Sequence, residues 1–307
     1  SSMAGIQIGF MEIAMNFADI VLVGGMEHMT RVPMGMTQVE RGLISPNMGL
    51  FLDPALSHWD MMTSMNMGLT AEKLSSQTKF TRDELDRWGV RSHQLAAKAR
   101  AEGFFKGEIL PIQAEQADGS VMTVETDQAV RDDATIENMR ELKPAFKKDG
   151  VITPGNSSPL NAGASSMILM SKETAKKKGI KPLATLRSVG FAGVDPTIMG
   201  AGPVPASQKA LGAVGLQAAD IDFWEINEAF CVVALNCIKE LGIAPDKVNV
   251  MGGGTAIGHA LGATGIRLVG TLARILNAKK GRYGCANACV GGGQGVATII
   301  EKENYAW

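Results

Sequence analysis

The sequence has few aromatic residues, almost no excess charge and no long apolar run. Aromatic side chains make up 5% of its 307 residues, and the formal net charge is -1 with a pI near 6.4. No basic stripe with interleaved aromatics is present, so nothing indicates a nucleic-acid partner. Charge or glycine interrupts every apolar run before it reaches membrane-spanning length, and no basic segment leads into a signal-peptide cleavage site. We therefore expect no membrane span.

The chain has only four cysteines, and their spacing fits neither a disulfide framework nor a zinc site. This predicts a reducing compartment, a cytoplasmic location and no structural metal. Cys231, Cys237 and Cys285 each lie in an apolar segment, where a thiol usually packs as a small hydrophobe. Hydrophobic residues make up 45% of the chain, which is enough for the large core of a globular enzyme.

Glycine, in contrast, is abundant, and the stretch 251–265 surrounds His259 with it. Glycines allow the backbone to turn through positive φ and to pass close to a ligand. Helical periodicity resumes after Leu261, so His259 is expected in a tight loop directly before a helix over 261–277. A single histidine in such a loop is by itself more often a packed or solvated bystander than a catalytic group.

Two further strand-to-loop junctions favour a catalytic role for His259 over that of a bystander. Cys289 ends an apolar run and faces a second glycine cluster at 291–295, while Asn227 ends the strand-like run that begins at Ile221. Strand and helix patterns alternate from residue 181 onward, which is typical of α/β layers. Because such sheets carry their chemistry at strand ends, Asn227, His259 and Cys289 are predicted to converge on one site.

The region 28–149 has a different character, with many methionines, interrupted helices and few strand patterns. We expect an inserted region there, with short strands over 108–112 and 121–126. Residues 127–144 are expected to form a loop containing Arg131. That arginine either pairs with the neighbouring acids or meets a phosphate-bearing ligand.

Six motifs, in order along nearly the whole chain, resemble the thiolase family. They are GGMEHMTRVPMG at 24–35, GNSSPLNAGA at 155–164, DPTIMGAGPVPAS at 195–207, NEAF at 227–230, GGGTAIGHALG around His259, and CVGGGQG at 289–295. The resemblance is greatest to the 3-ketoacyl-CoA thiolase and acetyl-CoA acetyltransferase branch. It implies a five-layer αβαβα sandwich of two similar halves, assembled as a homodimer or homotetramer. The implied divisions are 1–27 and 150–179 for the N-terminal half, 28–149 for a loop domain that receives coenzyme A, and 180–307 for the C-terminal half.

The resemblance also implies a mechanism with two cysteines. One accepts the acyl group from a 3-ketoacyl-CoA, or from acetyl-CoA in the reverse direction, and the other moves a proton. Cys289 matches the acid/base cysteine. His259 matches the histidine that activates the nucleophile and helps to hold a thioester enolate oxygen, and Asn227 matches the residue that positions a water in that oxyanion hole.

Coenzyme A contacts are implied as well, with CoA and acyl-CoA as substrates and no permanently bound cofactor. Arg131 matches an arginine on the adenine and phosphate side, and Ser158 a serine near the pantetheine. Met67 lies where the family lines the pantetheine tunnel, and Phe230 is expected to wall the acyl pocket. For Met67 and Phe230, ordinary packing is an equally good interpretation.

The chain departs from the family pattern in two respects. The nucleophilic cysteine of the family precedes the segment with which this sequence begins, so the 307 residues are expected to be inactive alone, as part of a longer protein. Ala260 replaces the proline that usually follows the histidine. Alternative interpretations are a non-catalytic acyl-CoA-binding or scaffold subunit, and a ketoacyl or hydroxymethylglutaryl synthase relative. Cys289 argues against the second, because those relatives commonly have a histidine or glutamate there.

Overall fold

The structure, a computed structural model, describes residues 2–29, 54–116 and 118–304. The expected insertion at 28–149 is therefore described only in part, and the second half of the motif at 24–35 lies outside the described residues.

Helices and strands alternate between residues 136 and 241 of the described chain. The helices are α1 (Ser2–Ala14), α2 (Met61–Met65), α3 (Met67–Thr78), α4 (Arg82–Ala101), α5 (Ile136–Arg140), α6 (Lys172–Lys177), α7 (Pro203–Gly212), α8 (Cys231–Leu241), α9 (Gly254–Ile257) and α10 (Leu261–Lys279). The strands are β1 (Ile20–His28), β2 (Ile112–Glu115), β3 (Val121–Val124), β4 (Ala162–Met170), β5 (Thr185–Gly193), β6 (Phe223–Ile226), β7 (Tyr283–Val290) and β8 (Gln294–Glu301).

The described strands form one four-stranded sheet and two two-stranded antiparallel sheets. In the larger sheet the order is β5-β8-β7-β6, with β6 parallel to β7 and the other neighbours antiparallel. β1 pairs antiparallel with β4, and β2 with β3. The α/β organisation expected from the alternation of patterns is confirmed.

Helix α10 lies between two sheets, as its apolar circumference predicted. It contacts β1 and β4 on one side and β6 and β7 on the other, and α1 packs beside it. The approach is close: a Cβ on Gly265 would lie 2.2 Å from the backbone nitrogen of Met3, so this position needs glycine. Helices α7 and α8 cover the opposite face of the larger sheet.

The described residues thus stack as sheet, helix, sheet and helix, which are four of the five layers that the motifs implied. The outer face of the β1 and β4 pair remains exposed, with large apolar side chains on it. Leu22 is 71% exposed, Met26 74% and Ile168 62%. No helix of the described residues covers that face.

Within the expected insertion, the strand predicted over 108–112 and the loop predicted over 127–144 differ from the structure. The strand expected over 108–112 begins only at Ile112, directly after Pro111, whose missing N–H makes it a poor ladder residue. Glu108 instead accepts a hydrogen bond from Thr271 of α10. The loop expected over 127–144 contains α5, because Thr135 caps it by accepting from the backbone N–H of Asn138 at 3.2 Å.

Among the described helices, none combines the length and the apolarity required to cross a bilayer.

Candidate active site

Asn227 stands at the carboxyl edge of the larger sheet. It directly follows β6, and its backbone N–H donates to the carbonyl of Asn287 on β7 at 2.9 Å. Its side chain is fully buried. Since β6 and β7 are parallel, Cys289, the penultimate residue of β7, lies at the same edge of the sheet. This is the edge where α/β sheets place ligands.

His259 reaches this region from a loop that only glycine allows. Gly258 has φ +101, and a Cβ there would lie 2.6 to 2.8 Å from the side-chain amide of Asn161. The same amide oxygen accepts the backbone N–H of His259 at 3.0 Å. Asn161 therefore fixes the loop at the residue that carries the imidazole.

Both ring nitrogens of His259 have partners. Nε2 lies 3.2 Å from Nδ2 of Asn227, and Nδ1 lies 2.7 Å from Oγ1 of Thr264. The Thr264 hydroxyl also donates to the carbonyl of Ala260 at 2.8 Å. A hydroxyl that donates elsewhere accepts from the ring, so we assign the proton to Nδ1. Nε2 then carries the lone pair that Asn227 meets.

The environment keeps this imidazole neutral. Burial, together with the positive charge of Arg267, lowers the pKa of His259 from 6.5 to about 4. At neutral pH the ring is therefore a base with its lone pair at Nε2, next to an amide that can donate hydrogen bonds.

Cys289 is a buried, neutral thiol. It is 7% exposed, and burial raises its pKa from 9.0 to about 12. Cys231 contacts the hydroxyl of Thr255 and Cys285 contacts that of Ser207, while Cys237 lies in the apolar core. All four thiols are thus buried in packed surroundings, as the apolar segments predicted for Cys231, Cys237 and Cys285, and Cys289 differs in lying at the end of β7 beside the glycine turn.

Three of the expected coenzyme A residues lie together next to this edge. Ser158 donates through its backbone and its hydroxyl to the carbonyl of Ala229, at 3.0 and 3.1 Å, beside Phe230. Phe230 is buried, and its ring meets Phe146 edge to face with centroids 6.0 Å apart. At the start of α3, the sulfur of Met67 lies 3.2 Å from where a Cβ of Gly291 would stand, next to the Cys289 turn.

Arg131 lies apart from these residues on an exposed loop. Its backbone N–H donates to Nδ1 of His93 at 3.2 Å, and the preceding Val130 packs against the cluster that contains Ile257. The neighbouring Asp132 pairs with Arg100 at 2.5 Å. In the described part of the chain Arg131 has no ion pair with an acidic neighbour, so the pairing alternative is not observed.

A cavity of about 400 Å³ opens elsewhere, between α4 and the turn at 103–111. Val130 contributes to its wall, but His259, Asn227 and Cys289 do not. It is therefore a different place from the convergence of strand ends.

The structure adds site residues that sequence reasoning missed. Asn161 and Thr264 hold His259, and Phe146 forms a wall with Phe230. Glu228, next to Asn227, is fully buried. Asn161 and Glu228 lie within the motifs GNSSPLNAGA and NEAF, so the motifs carried a signal, but their contacts come from residues distant in sequence. No group of three or more potential metal ligands occurs among the described residues.

Comparison with known proteins decides the family. The family model described as "Thiolase, N-terminal domain" matches residues 1–173, and that described as "Thiolase, C-terminal domain" matches residues 180–302. The chain belongs to the thiolase family. One relative is a protein of Marinobacter nauticus named 3-ketoacyl-CoA thiolase. It is 44% identical to this chain over 306 residues, which cover 98% of this chain and 75% of the relative.

Solved thiolase structures have the same fold. The human mitochondrial 3-ketoacyl-CoA thiolase superposes with a TM-score of 0.87 at 37% identity, over 99% of this chain and 77% of that one. A structure of that human thiolase in complex with CoA gives 0.85 at 36% identity, over 99% and 76%. The thiolase resemblance and the thiolase-like α/β fold are confirmed, and the named relatives support a thiolase, hence acyltransferase, function.

Proposed function

We propose that this thiolase-family chain carries the acid/base and oxyanion part of a 3-ketoacyl-CoA thiolase site. The reaction is CoA-dependent cleavage of a 3-ketoacyl-CoA into acyl-CoA and acetyl-CoA, or its reverse. The hydrogen bond between Asn227 and His259, at the sheet edge that also carries Cys289, is the observation on which this proposal depends. Names of the relatives and the CoA complex of the human thiolase support CoA thioesters as substrates.

In this proposal the nucleophilic thiolate attacks the 3-keto carbon, and the bond between C2 and C3 breaks. The electron pair passes to the acetyl-CoA enolate, whose oxygen is held by donors from the Asn227 and His259 region. Cys289 gives its proton to C2, which suits a thiol whose pKa burial raises to about 12. The Cys289 thiolate then removes the proton of an incoming CoA thiol, which attacks the acyl group and releases the enzyme.

His259 serves the nucleophile. Its neutral ring, held with the proton on Nδ1 by Thr264, carries at Nε2 the lone pair that meets the Asn227 amide in the structure and that would accept a thiol proton in place of that contact. The same Nε2, once protonated, donates to a thioester oxygen.

For coenzyme A itself, we propose contacts with Ser158, Met67 and Phe230 near the pantetheine and acyl group, and with Arg131 at the phosphates. The absence of an acidic partner for Arg131 among the described residues supports this, because an exposed guanidinium without an ion pair can meet a phosphate.

We further propose that the 307 residues alone do not turn over. All four cysteines are buried, and Cys289 is the one that lies at the end of β7 beside the glycine turn, which leaves one thiol where two are needed. The same observation favours a second candidate function, that of an acyl-CoA-binding subunit without chemistry of its own.

The experiment that separates these candidates is deuterium exchange into the methyl group of acetyl-CoA in D₂O, followed by mass spectrometry, alongside calorimetric binding of CoA. The thiolase proposal expects binding and exchange, with exchange reduced about 100-fold in Cys289→Ala. Cys285→Ala, four residues earlier on β7 and bonded only to Ser207, is the matched control and retains exchange.

Each other outcome has a definite meaning. Binding without exchange supports the binding subunit, and no binding contradicts both candidates. Thiolysis of acetoacetyl-CoA by this chain alone would contradict the proposed inactivity.

We also propose a cytoplasmic homodimer or homotetramer acting in fatty-acid β-oxidation. The exposed apolar face that contains Leu22, Met26 and Ile168 supports association with another protein surface. Sedimentation velocity tests it, since a monomer at micromolar concentration contradicts the homo-oligomer.

A further inference from the structure

Glu228 is a fully buried carboxylate that the thiolase chemistry above does not use. An acidic side chain removed from water is costly unless hydrogen bonds replace its hydration. The salt bridges among the described residues do not include it, so hydrogen bonds are what stabilise it.

Four donors of the described residues converge on this carboxylate, two on each oxygen. Oε1 accepts from Nε1 of Trp88 at 2.8 Å and from Nδ2 of Asn249 at 2.7 Å. Oε2 accepts from the hydroxyl of Ser92 at 2.7 Å and from the backbone N–H of Thr255 at 3.1 Å. A carboxylate with this set of donors is fixed in both position and orientation.

The donors belong to the three segments that surround the Asn227 and His259 pair. Trp88 and Ser92 lie on α4 of the insertion, Asn249 follows the α8 helix, and Thr255 belongs to α9, the short helix that leads to His259. The side chain of Asn249 also forms two hydrogen bonds with the last residue of β6. It accepts the backbone N–H of Ile226 at 2.8 Å and donates to the carbonyl of Ile226 at 2.9 Å.

The packing around this junction is close. The hydroxyl of Ser92 accepts the N–H of Gly253 at 2.9 Å, and a Cβ on Gly253 would lie 2.3 to 2.5 Å from the Glu228 carboxylate. The loop that carries His259 is thus held against the residue that follows Asn227.

We propose that Glu228 is a positioning residue that sets the distance between the Asn227 amide and the His259 ring, by tying both to helix α4 of the insertion. This role of Glu228 rests on the proposed thiolase function, because it matters only if Asn227 and His259 act together. The effect of Glu228 on the His259 ring can nevertheless be tested without substrate. It predicts that the hydrogen bond at His259 Nε2, and with it the tautomer of the ring, depends on a carboxylate that touches neither group.

The test is long-range ¹H–¹⁵N spectroscopy of the full chain labelled at its four histidines, with His259→Asn used to assign the His259 signals. In the unchanged chain, we expect one dominant tautomer with the proton on Nδ1. In Glu228→Gln, an NH₂ group replaces one of the two oxygens and faces the two donors that this oxygen accepts from. The ratio of the Nδ1-protonated to the Nε2-protonated form of His259 should therefore fall about fivefold. Glu72→Gln is the matched control, since Glu72 is also buried and accepts the backbone N–H groups of Val151 and Ile152.

Ser92→Ala provides a second variant should Glu228→Gln fail to fold. It removes one donor to Oε2 and the acceptor for Gly253, and should move the His259 signals in the same direction by a smaller amount. Folded variants whose His259 signals match those of the unchanged chain would overturn the proposal. Calorimetric titration with CoA keeps the two ideas apart: no CoA binding by the unchanged chain contradicts the proposed function, whereas unmoved His259 signals contradict the role of Glu228.

Discussion

Strand β6 and its end carry two buried glutamates that lie in opposite kinds of surroundings. Glu228, in the site region, accepts hydrogen bonds from Trp88, Ser92, Asn249 and Thr255. Glu225, three residues earlier, accepts no hydrogen bond at either carboxylate oxygen from the residues that the structure describes, and its ion-pair partner among them is Arg267 at 3.6 Å.

The region around Glu225 is a cluster of buried charges rather than a hydrogen-bonded network. Arg267 has two buried nitrogens with no hydrogen-bond partner among the described residues, and burial raises the pKa of both Glu108 and Asp127 nearby. Burial likewise raises the pKa of Glu225 to about 8, although Arg267 opposes that rise. The comparison teaches that directed donors fix the position and orientation of a buried carboxylate, whereas Glu225, which lacks them, has a pKa raised by burial.

The largest expected effect comes from Glu225→Gln, measured as urea unfolding from pH 5 to pH 8. The unfolded carboxyl loses its proton near pH 4.5 and the folded one near 8, so the folded state binds more protons between these values. Stability should therefore fall as pH rises, by about 1.4 kcal/mol per pH unit for this group. The glutamine variant lacks this term, so it should resemble the unchanged chain at pH 5 and exceed it by several kcal/mol at pH 8. Parallel stability curves for the two chains would mean that Glu225 keeps its ordinary ionisation.

The next effect tests how tightly the Glu228 region is packed. Gly253→Ala places a Cβ 2.3 Å from the carboxylate and should destabilise by about 1 to 3 kcal/mol, the usual cost of overpacking. Gly212→Ala is the control, because a Cβ there would have no heavy atom of another described segment within 4 Å, and Gly212 ends helix α7, where alanine is favoured. Chemical denaturation of both variants measures the difference, and equal stabilities would show that the loop can move away from Glu228.

Two threonines on α10, two turns apart, allow the regions to be compared by isosteric change. Thr264 accepts the His259 ring proton, and Thr271 donates to Glu108 in the charged cluster. Replacing either threonine with valine leaves its buried polar partner without that hydrogen bond, which should lower the free energy of unfolding by about 1 to 2 kcal/mol. Only Thr264→Val should change the His259 tautomer in ¹⁵N spectra. An altered His259 signal in Thr271→Val would show that the two regions are not independent.

Sequence patterns were sufficient for the parts of the molecule whose signal is local. The glycines around His259, the alternation of strands and helices, and the apolar circumference of α10 each predicted what the structure has. The family motifs are local signals of the same kind, since each is a contiguous segment, and two of them contain Asn227 and Cys289 at the carboxyl edge of the larger sheet.

The contacts that hold the site could not be predicted in this way. Trp88 and Ser92 lie 136 or more residues before Glu228, and nothing in the helical pattern of α4 distinguishes a donor to a buried carboxylate from an ordinary packed residue. Asn161 is likewise 98 residues before His259. The strand expected over 108–112 begins only at Ile112 in the structure. The apolar residues around Pro111 favoured a strand there, but Pro111 has no N–H to donate to a sheet.

The smallest expected effect concerns Ala260, the position where the family usually has proline. Ala260 has φ -67, close to the fixed angle of proline, and its backbone N–H has no acceptor among the described residues. Ala260→Pro should therefore restrict the unfolded chain without breaking a hydrogen bond, and raise stability by about 0.4 to 1 kcal/mol. Thermal unfolding measures this gain, and the His259 spectra should stay unchanged, because Thr264 bonds to the carbonyl of residue 260 and not to its nitrogen. A loss of stability would instead indicate that the His259 backbone does not accept the extended conformation that a following proline requires.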